Sequence, residues 1–140
     1  MELAKHISEN LRTHYPNDSF VARTDATTGY GNVQDTSKFI CNMHGAKVSR
    51  LPLSSAEAID DSALKSLLHR VVFESKSMSD SLDREMNIFD QINKMLPGHC
   101  CSVYVTDVSS NDRPVVYGPH KGLAYFWEPE FGAHVTIVLH

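Results

Sequence analysis

The sequence predicts an α+β fold: a mostly antiparallel sheet with an N-terminal helix and a central helical block packed on one face. Segments that alternate apolar and polar residues lie on both sides of one helical block, without the regular strand-helix alternation of a parallel sheet. The composition is that of a globular protein, with 41% hydrophobic and 21% charged residues. A chain of 140 residues is also long enough to bury a core as a single domain, 1–140.

The N-terminal third predicts one helix followed by strands. Residues 2–15 have the four-residue spacing of apolar side chains that is typical of an amphipathic helix, at Leu3, Ile7 and Leu11. Pro16 is predicted to end this helix. The polar run Thr24–Ser37 is predicted to be a loop or an irregular hairpin; as a loop it is long for a compact domain, and such loops are often functional. Strands are predicted over three segments: 20–23, 38–43 and 46–53.

The central block predicts two helices. Ser54 and Glu57 have the spacing of a capping box, which predicts that a helix begins there. The Ser-rich stretch Ser75–Ser81 divides the block, and Pro97 ends it. Apolar positions predicted to face the core are Ala63, Leu64, Leu67, Leu68, Val71 and Val72 in the first helix, and Leu82, Met86, Phe89, Ile92 and Leu96 in the second.

The C-terminal part predicts strands throughout. Segments 100–108 and 113–117 flank turn residues and are predicted to form a hairpin. Strands over 123–127 and 133–139 follow. Because side chains alternate along a strand, one face of the last strand carries His134, Thr136, Val138 and His140, and the other faces the core with Val135, Ile137 and Leu139.

The charge balance disfavours nucleic acid as a partner. Lys and Arg number 13 against 17 Asp and Glu, for a net charge of −4, so no overall positive field attracts phosphate backbones. No apolar run approaches the ~20 residues needed to cross a bilayer, and no signal peptide is evident. Three cysteines, an odd number, fit a reducing compartment. These features predict a cytoplasmic protein, in a cell, a host cytoplasm or a virion, with no membrane partner.

His134-Val135-Thr136 on the last strand is the most motif-like tripeptide of the chain. Here the chain resembles the 2H phosphoesterases, in which two His-x-Thr motifs face each other across a cleft. The resemblance implies that His134 is an acid or base, that Thr136 binds phosphate, and that the substrate is a cyclic or 2',5'-linked nucleotide cleaved without a metal. The second His is then His44, although Ala46 stands where the second hydroxyl belongs.

A zinc site is a further hypothesis, because thiolates and imidazoles are the ligands that zinc prefers. The candidate ligands are the pair Cys41-x-x-His44 and the run His99-Cys100-Cys101. Alternation along the strands directs Cys41 away from His44, and Cys100 away from Cys101. Buried thiols that act as small hydrophobic side chains are the favoured interpretation, and no metal or cofactor is predicted.

Three consecutive aromatic residues, Tyr125, Phe126 and Trp127, lie close to Phe131. On a strand at least one of the three rings must face away from the core unless both sides are covered, and exposed aromatic clusters are typical protein anchors. The favoured prediction is a non-enzymatic protein that binds another protein or copies of itself through these four residues and the Thr24–Ser37 loop. The element order is similar to that of phage assembly proteins such as tail terminators, and an inhibitor or immunity protein fits equally.

Overall fold

The computed structural model describes residues 2–24, 29–35, 46–110 and 113–140. Within these ranges the helices are α1 Glu2–His14, α2 Asp61–Glu74 and α3 Ser81–Met95. The strands are β1 Ser19–Thr24, β2 Tyr30–Gly31, β3 Gln34–Asp35, β4 Ala46–Leu51, β5 Cys101–Thr106, β6 Val115–Tyr117, β7 Gly122–Phe126 and β8 His134–Leu139. Short 3-10 turns follow α2 at Ser75–Ser77 and precede β8 at Pro129–Phe131.

The strands form two antiparallel sheets, which confirms the predicted α+β class. The first sheet has the order β3-β4-β1-β6, and the second has the order β2-β5-β8-β7. Strands β5 and β8 pair along their whole length, from Cys101 opposite Leu139 to Thr106 opposite His134. The sequence predicted one sheet, because alternation along a strand marks its two faces without identifying its neighbours.

The two sheets pack face to face, and helices cover their outer sides. Helices α2 and α3 pack on the second sheet over the apolar side chains of β5, β7 and β8, including Val103, Phe126 and Ile137. Helix α1 packs on the first sheet, over a smaller cluster that contains Phe20 and Val48. The helices therefore lie on opposite sides of the paired sheets, whereas the sequence analysis placed all of them on one face.

The layer between the sheets contains many polar side chains. Its apolar part consists of Val21 and Leu51 from the first sheet and Tyr104 and Val138 from the second. Buried polar side chains surround these four apolar residues. They come from β1, β4, β5 and β8, and from His140 after β8: Ser19, Arg23, Ser49, Ser102, Thr106, Thr136 and His140. The polar face predicted for the last strand thus meets the first sheet instead of an open groove.

Helix α3 buries only part of the stripe that the sequence predicted: Ile92 is buried, and Phe89 and Leu96 pack against the core. Leu82 and Met86 are exposed, whereas Arg84 and Glu85 are buried beside Ile88 and Ile92. Burial of two charged residues requires polar partners. The Glu85 carboxylate accepts a hydrogen bond from the backbone N–H of Val105 at 2.9 Å, beyond the short pairing of β5 with β2. The helix therefore satisfies a backbone donor of the sheet with a side chain of its own.

Two predictions from the sequence are wrong: the residue at which the second helix begins, and the hairpin of segments 100–108 and 113–117. Helix α2 begins at Asp61, and Asp60 caps it by accepting hydrogen bonds from two backbone N–H groups, while the Ser54 hydroxyl donates to the carbonyl of His140. Strand β6 pairs with β1 of the first sheet, so it forms no hairpin with β5. The predicted strand 38–43 lies outside the described residues. Among the helices that are described, none has the length and apolar character to span a bilayer.

Candidate protein-contact surface

Four side chains stack on one another at one end of the second sheet: Tyr125, Arg113, Trp127 and His134, here called the Arg113 stack. The rings of Trp127 and His134 are stacked, with centroids 3.9 Å apart and planes 19° from parallel. The guanidinium carbon of Arg113 lies 4.4 Å from the Tyr125 ring centroid and 4.4 Å from that of Trp127. Trp127 therefore contacts both an imidazole and a guanidinium.

Three chain segments position the stack. Trp127 directly follows β7, and the 3-10 turn Pro129–Phe131 returns the chain to His134 at the start of β8. Gly132 ends this turn with a φ of 70°, a left-handed conformation that costs glycine little. Arg113 comes from the segment before β6, which the Tyr125 hydroxyl holds against β7 by donating to the carbonyl of Pro114 at 3.2 Å.

The stack is only partly buried and carries positive charge. Arg113 is exposed, whereas Tyr125, Trp127 and His134 are half-buried. Burial raises the pKa of the Tyr125 phenol, and the charge of Arg113 opposes that shift. The indole N–H of Trp127 and Nδ1 of His134 are both buried and have no hydrogen-bond partner in the described part of the chain. Buried polar atoms are usually paired, so these two atoms are unsatisfied on the inner side of the stack.

Two of the four aromatic residues assigned to a partner surface belong to the core. Phe126 and Phe131 have exposed fractions of 0% and 1%, and their rings meet edge to face with centroids 5.2 Å apart. Phe126 points to the helices because side chains alternate along β7, so its neighbours Tyr125 and Trp127 leave the sheet on the other side. Of these four residues, Tyr125 and Trp127 are the ones with area available to a partner.

The residues of the phosphoesterase hypothesis do not form an accessible group in the described part of the chain. His134 and Thr136 share one face of β8, as the alternation predicted. Thr136 is only 1% exposed, because the first sheet covers that face, and the phosphodiester of a nucleotide substrate is too large to reach its hydroxyl. His44, the proposed second imidazole, lies outside the described residues.

The residues of the zinc hypothesis are similarly divided. His99 contacts the carbonyl of Glu57 through Nε2 at 2.9 Å, and Cys100 is half-buried. Cys101 faces the core, where burial raises its pKa to about 12 and disfavours the thiolate that binds zinc. Cys41 and His44 lie outside the described residues. Among the residues that are described, no three His, Cys, Asp or Glu side chains are grouped as metal ligands would be.

The sequence analysis missed Arg113, the residue that links the two aromatic rings. A single Arg after a turn carries no local signal. Its place in the stack depends on the pairing of β6 with β1, after which the segment before β6 lies across Tyr125 and Trp127. A search for similarity gives no further guide to the site, since no protein-family model, curated protein or solved structure matches this chain.

Proposed function

We propose that this chain is a non-enzymatic protein-binding protein and that its contact surface is centred on the Arg113 stack. The observation that carries the proposal is the exposed Arg113 guanidinium held against the rings of Tyr125 and Trp127. Trp, Tyr and Arg are the residue types most enriched among side chains that dominate binding energy at protein interfaces. Here all three occur together on one half-buried site.

The stack is suited to binding because it is preorganised. Binding normally costs about 0.5–1.5 kcal/mol for each flexible side chain that becomes immobilised. Contacts with two rings already restrict Arg113. The hydrogen bond that the Tyr125 hydroxyl donates to the Pro114 carbonyl restricts Tyr125. The planar edge of the guanidinium can still donate to a carboxylate or a carbonyl. An acidic or carbonyl-rich partner surface is therefore the chemical complement of this site.

The surroundings of Tyr125 provide room for a partner side chain. An open cleft of about 300 Å³ lies between β7 and the beginning of α2, lined by Asp61, Ser62, Lys65, Leu123, Ala124 and Tyr125. This volume is at the lower limit for small-molecule pockets, and an anchor side chain from a partner would fill it. The phosphoesterase alternative receives no comparable support, because Thr136 is enclosed between the sheets.

The partner is either a second copy of this chain, as in an assembly protein, or a different protein, as for an inhibitor or immunity protein. We propose a cytoplasmic location, which the free thiols of Cys100 and Cys101 support because thiols persist in reducing compartments. Sedimentation velocity over a hundredfold range of concentration separates the two kinds of partner. Self-assembly requires a sedimentation coefficient that rises with concentration, and a monomer at every concentration excludes it.

Replacement of Arg113 tests the surface itself. We expect Arg113→Ala to weaken whichever association is found at least tenfold, which corresponds to about 1.4 kcal/mol. Arg70→Ala is the matched control, because Arg70 is exposed on α2 and pairs with Glu74. For a monomer, a photo-crosslinking amino acid is placed at position 113 and, as control, at position 70, in cells that make the protein. Equal crosslinking at both positions, or association that survives Arg113→Ala unchanged, would refute the proposal.

A further inference from the structure

Four polar side chains meet between the two sheets near the end of β1: Arg23, Ser49, Ser102 and Tyr104. Arg23 is 7% exposed, Tyr104 is 1% exposed and both serines are completely buried. One terminal nitrogen of Arg23 donates a hydrogen bond to the Ser49 hydroxyl. The guanidinium carbon of Arg23 lies 5.6 Å from the Tyr104 ring centroid. A positively charged group is thus enclosed among three hydroxyls.

Among the described residues, three of these side chains find no hydrogen-bond partner for a buried polar atom: Nε of Arg23, Oγ of Ser102 and the hydroxyl of Tyr104. Burial raises the pKa of Tyr104, and the neighbouring hydroxyls of Ser102 and Ser49 and the charge of Arg23 oppose the rise. The phenol therefore keeps its proton at neutral pH and remains a donor. Because native proteins pair nearly all buried polar atoms, three unpaired ones in one region indicate that something else bonds them.

Charge identifies what that partner must supply. Buried cations are normally paired with an anion, but the ion pairs among the described residues involve Arg50, Lys65 and Arg70 instead of Arg23. A ring face and one serine hydroxyl offset only part of the cost of desolvating a guanidinium. A buried water molecule would satisfy the hydroxyls, yet it would bring no negative charge to the Arg23 guanidinium.

We propose that the layer between the sheets binds a small inorganic anion, held by Nε–H of Arg23 and by the hydroxyls of Ser102 and Tyr104. The anion must be small because Ser102 and Tyr104 are enclosed on all sides. Arg23 is the second-to-last residue of β1 and keeps a small exposed area, which marks the side from which the anion enters. Lys47, opposite Arg23 in the register of β1 and β4, adds a second basic residue to the same face. This inference is independent of the contact surface.

Phosphate, sulfate and chloride are the probes, added as sodium salts at one constant ionic strength. Calorimetric titration should show saturable binding to the wild-type protein, and the thermal midpoint should rise by roughly 4 °C for each tenfold increase in anion above its Kd. We expect Arg23→Gln to lower affinity at least tenfold. Tyr104→Phe should lower it about fivefold while leaving anion-free stability unchanged or higher, since the hydroxyl has no well-formed hydrogen bond to the described residues.

Arg70→Gln is the control, because this exposed arginine lies on α2, outside the layer between the sheets. Sulfate and phosphate stabilise many proteins without binding to a site, so the specific effect is the difference between the wild type and Arg23→Gln. Equal rises of the thermal midpoint in those two proteins, with no binding heat, would overturn the proposal. If Arg23→Gln does not fold, Tyr104→Phe decides: a phosphate affinity equal to that of the wild type overturns the proposal, and a reduced one supports it.

Discussion

Arg84 connects α3 to the end of α2 and to the turn between Trp127 and His134, so its removal is the most informative perturbation of the fold. Its guanidinium, 3% exposed, donates to the Ser75 hydroxyl at 2.8 Å, to the Val72 carbonyl at 3.1 Å and to the Phe131 carbonyl at 2.7 Å. Arg84→Met keeps most of the apolar stem and removes all three donors.

The expected cost follows from what remains unpaired. In Arg84→Met the Val72 carbonyl still accepts a hydrogen bond from the Ser75 hydroxyl at 2.6 Å. The Phe131 carbonyl loses the hydrogen bond that Arg84 donates to it. A buried group left without a partner costs about 1–3 kcal/mol. Burial lowers the pKa of Arg84, which shows that the charged form itself is disfavoured there, so its removal returns part of that cost. The net loss should be about 2 kcal/mol.

Urea unfolding followed by circular dichroism measures this loss. At the usual slope of about 2 kcal/mol per molar urea, the midpoint should fall by roughly 1 M. Arg70→Met is the control, since the exposed pair of Arg70 and Glu74 should contribute less than about 0.5 kcal/mol. Fluorescence of Trp127, the only tryptophan, should also change in Arg84→Met, because Phe131 lies in the turn between Trp127 and His134. A variant as stable as the wild type would show that desolvation of the guanidinium cancels its hydrogen bonds.

Two further changes test the backbone and the buried polar layer. Gly31 has a φ of 139°, and an added Cβ would collide with the carbonyl of Cys101, so Gly31→Ala should lower the free energy of unfolding in urea by about 2 kcal/mol or more. Gly98→Ala is the control and should cost little, because the space around Gly98 is open. Equal effects of the two substitutions would contradict this reasoning. His140, whose Nδ1 lies 2.6 Å from the Ser19 hydroxyl, has its pKa lowered from 6.5 to about 3, chiefly by burial. Between these two pKa values the unfolded chain binds a proton at His140 that the folded chain does not, so the free energy of unfolding should fall as the pH drops below 6.5, by up to about 1.4 kcal/mol per pH unit. His140→Gln should flatten this dependence between pH 6.5 and 5. Identical pH profiles of the variant and the wild type would refute the prediction.

The sequence predicted the parts of the fold that depend on local pattern. Alternation correctly directed Val135, Ile137 and Leu139 of β8 into the core, and the Ser-rich stretch correctly separated α2 from α3. Pairing between distant segments was not predictable, because β1 and β6 are joined through residues more than ninety positions apart along the chain. Alternation specifies which side chains share a face, but it does not specify what covers that face.

Helix α3 shows a second limit of pattern reading. Leu82 and Met86 fit an apolar stripe, yet Arg84 and Glu85 occupy the buried face. Arg84 is buried because carbonyls from α2 and from the turn before β8 converge on it. Glu85 is buried because the Val105 N–H requires an acceptor. Both demands arise from the tertiary arrangement, and neither is visible in the order of residues along the helix.

The position of the candidate surface also follows from the two-sheet arrangement. The first sheet covers the polar face of β8 at Thr136, Val138 and His140, but His134 remains half-buried. Strand β6 begins only at Val115, so the segment that precedes it is free of the sheet and brings Arg113 across the rings of β7. A strand face that looks uniformly available in the sequence thus has one accessible end, and that end carries the Arg113 stack. The proposed surface is there because the covering sheet stops short of His134.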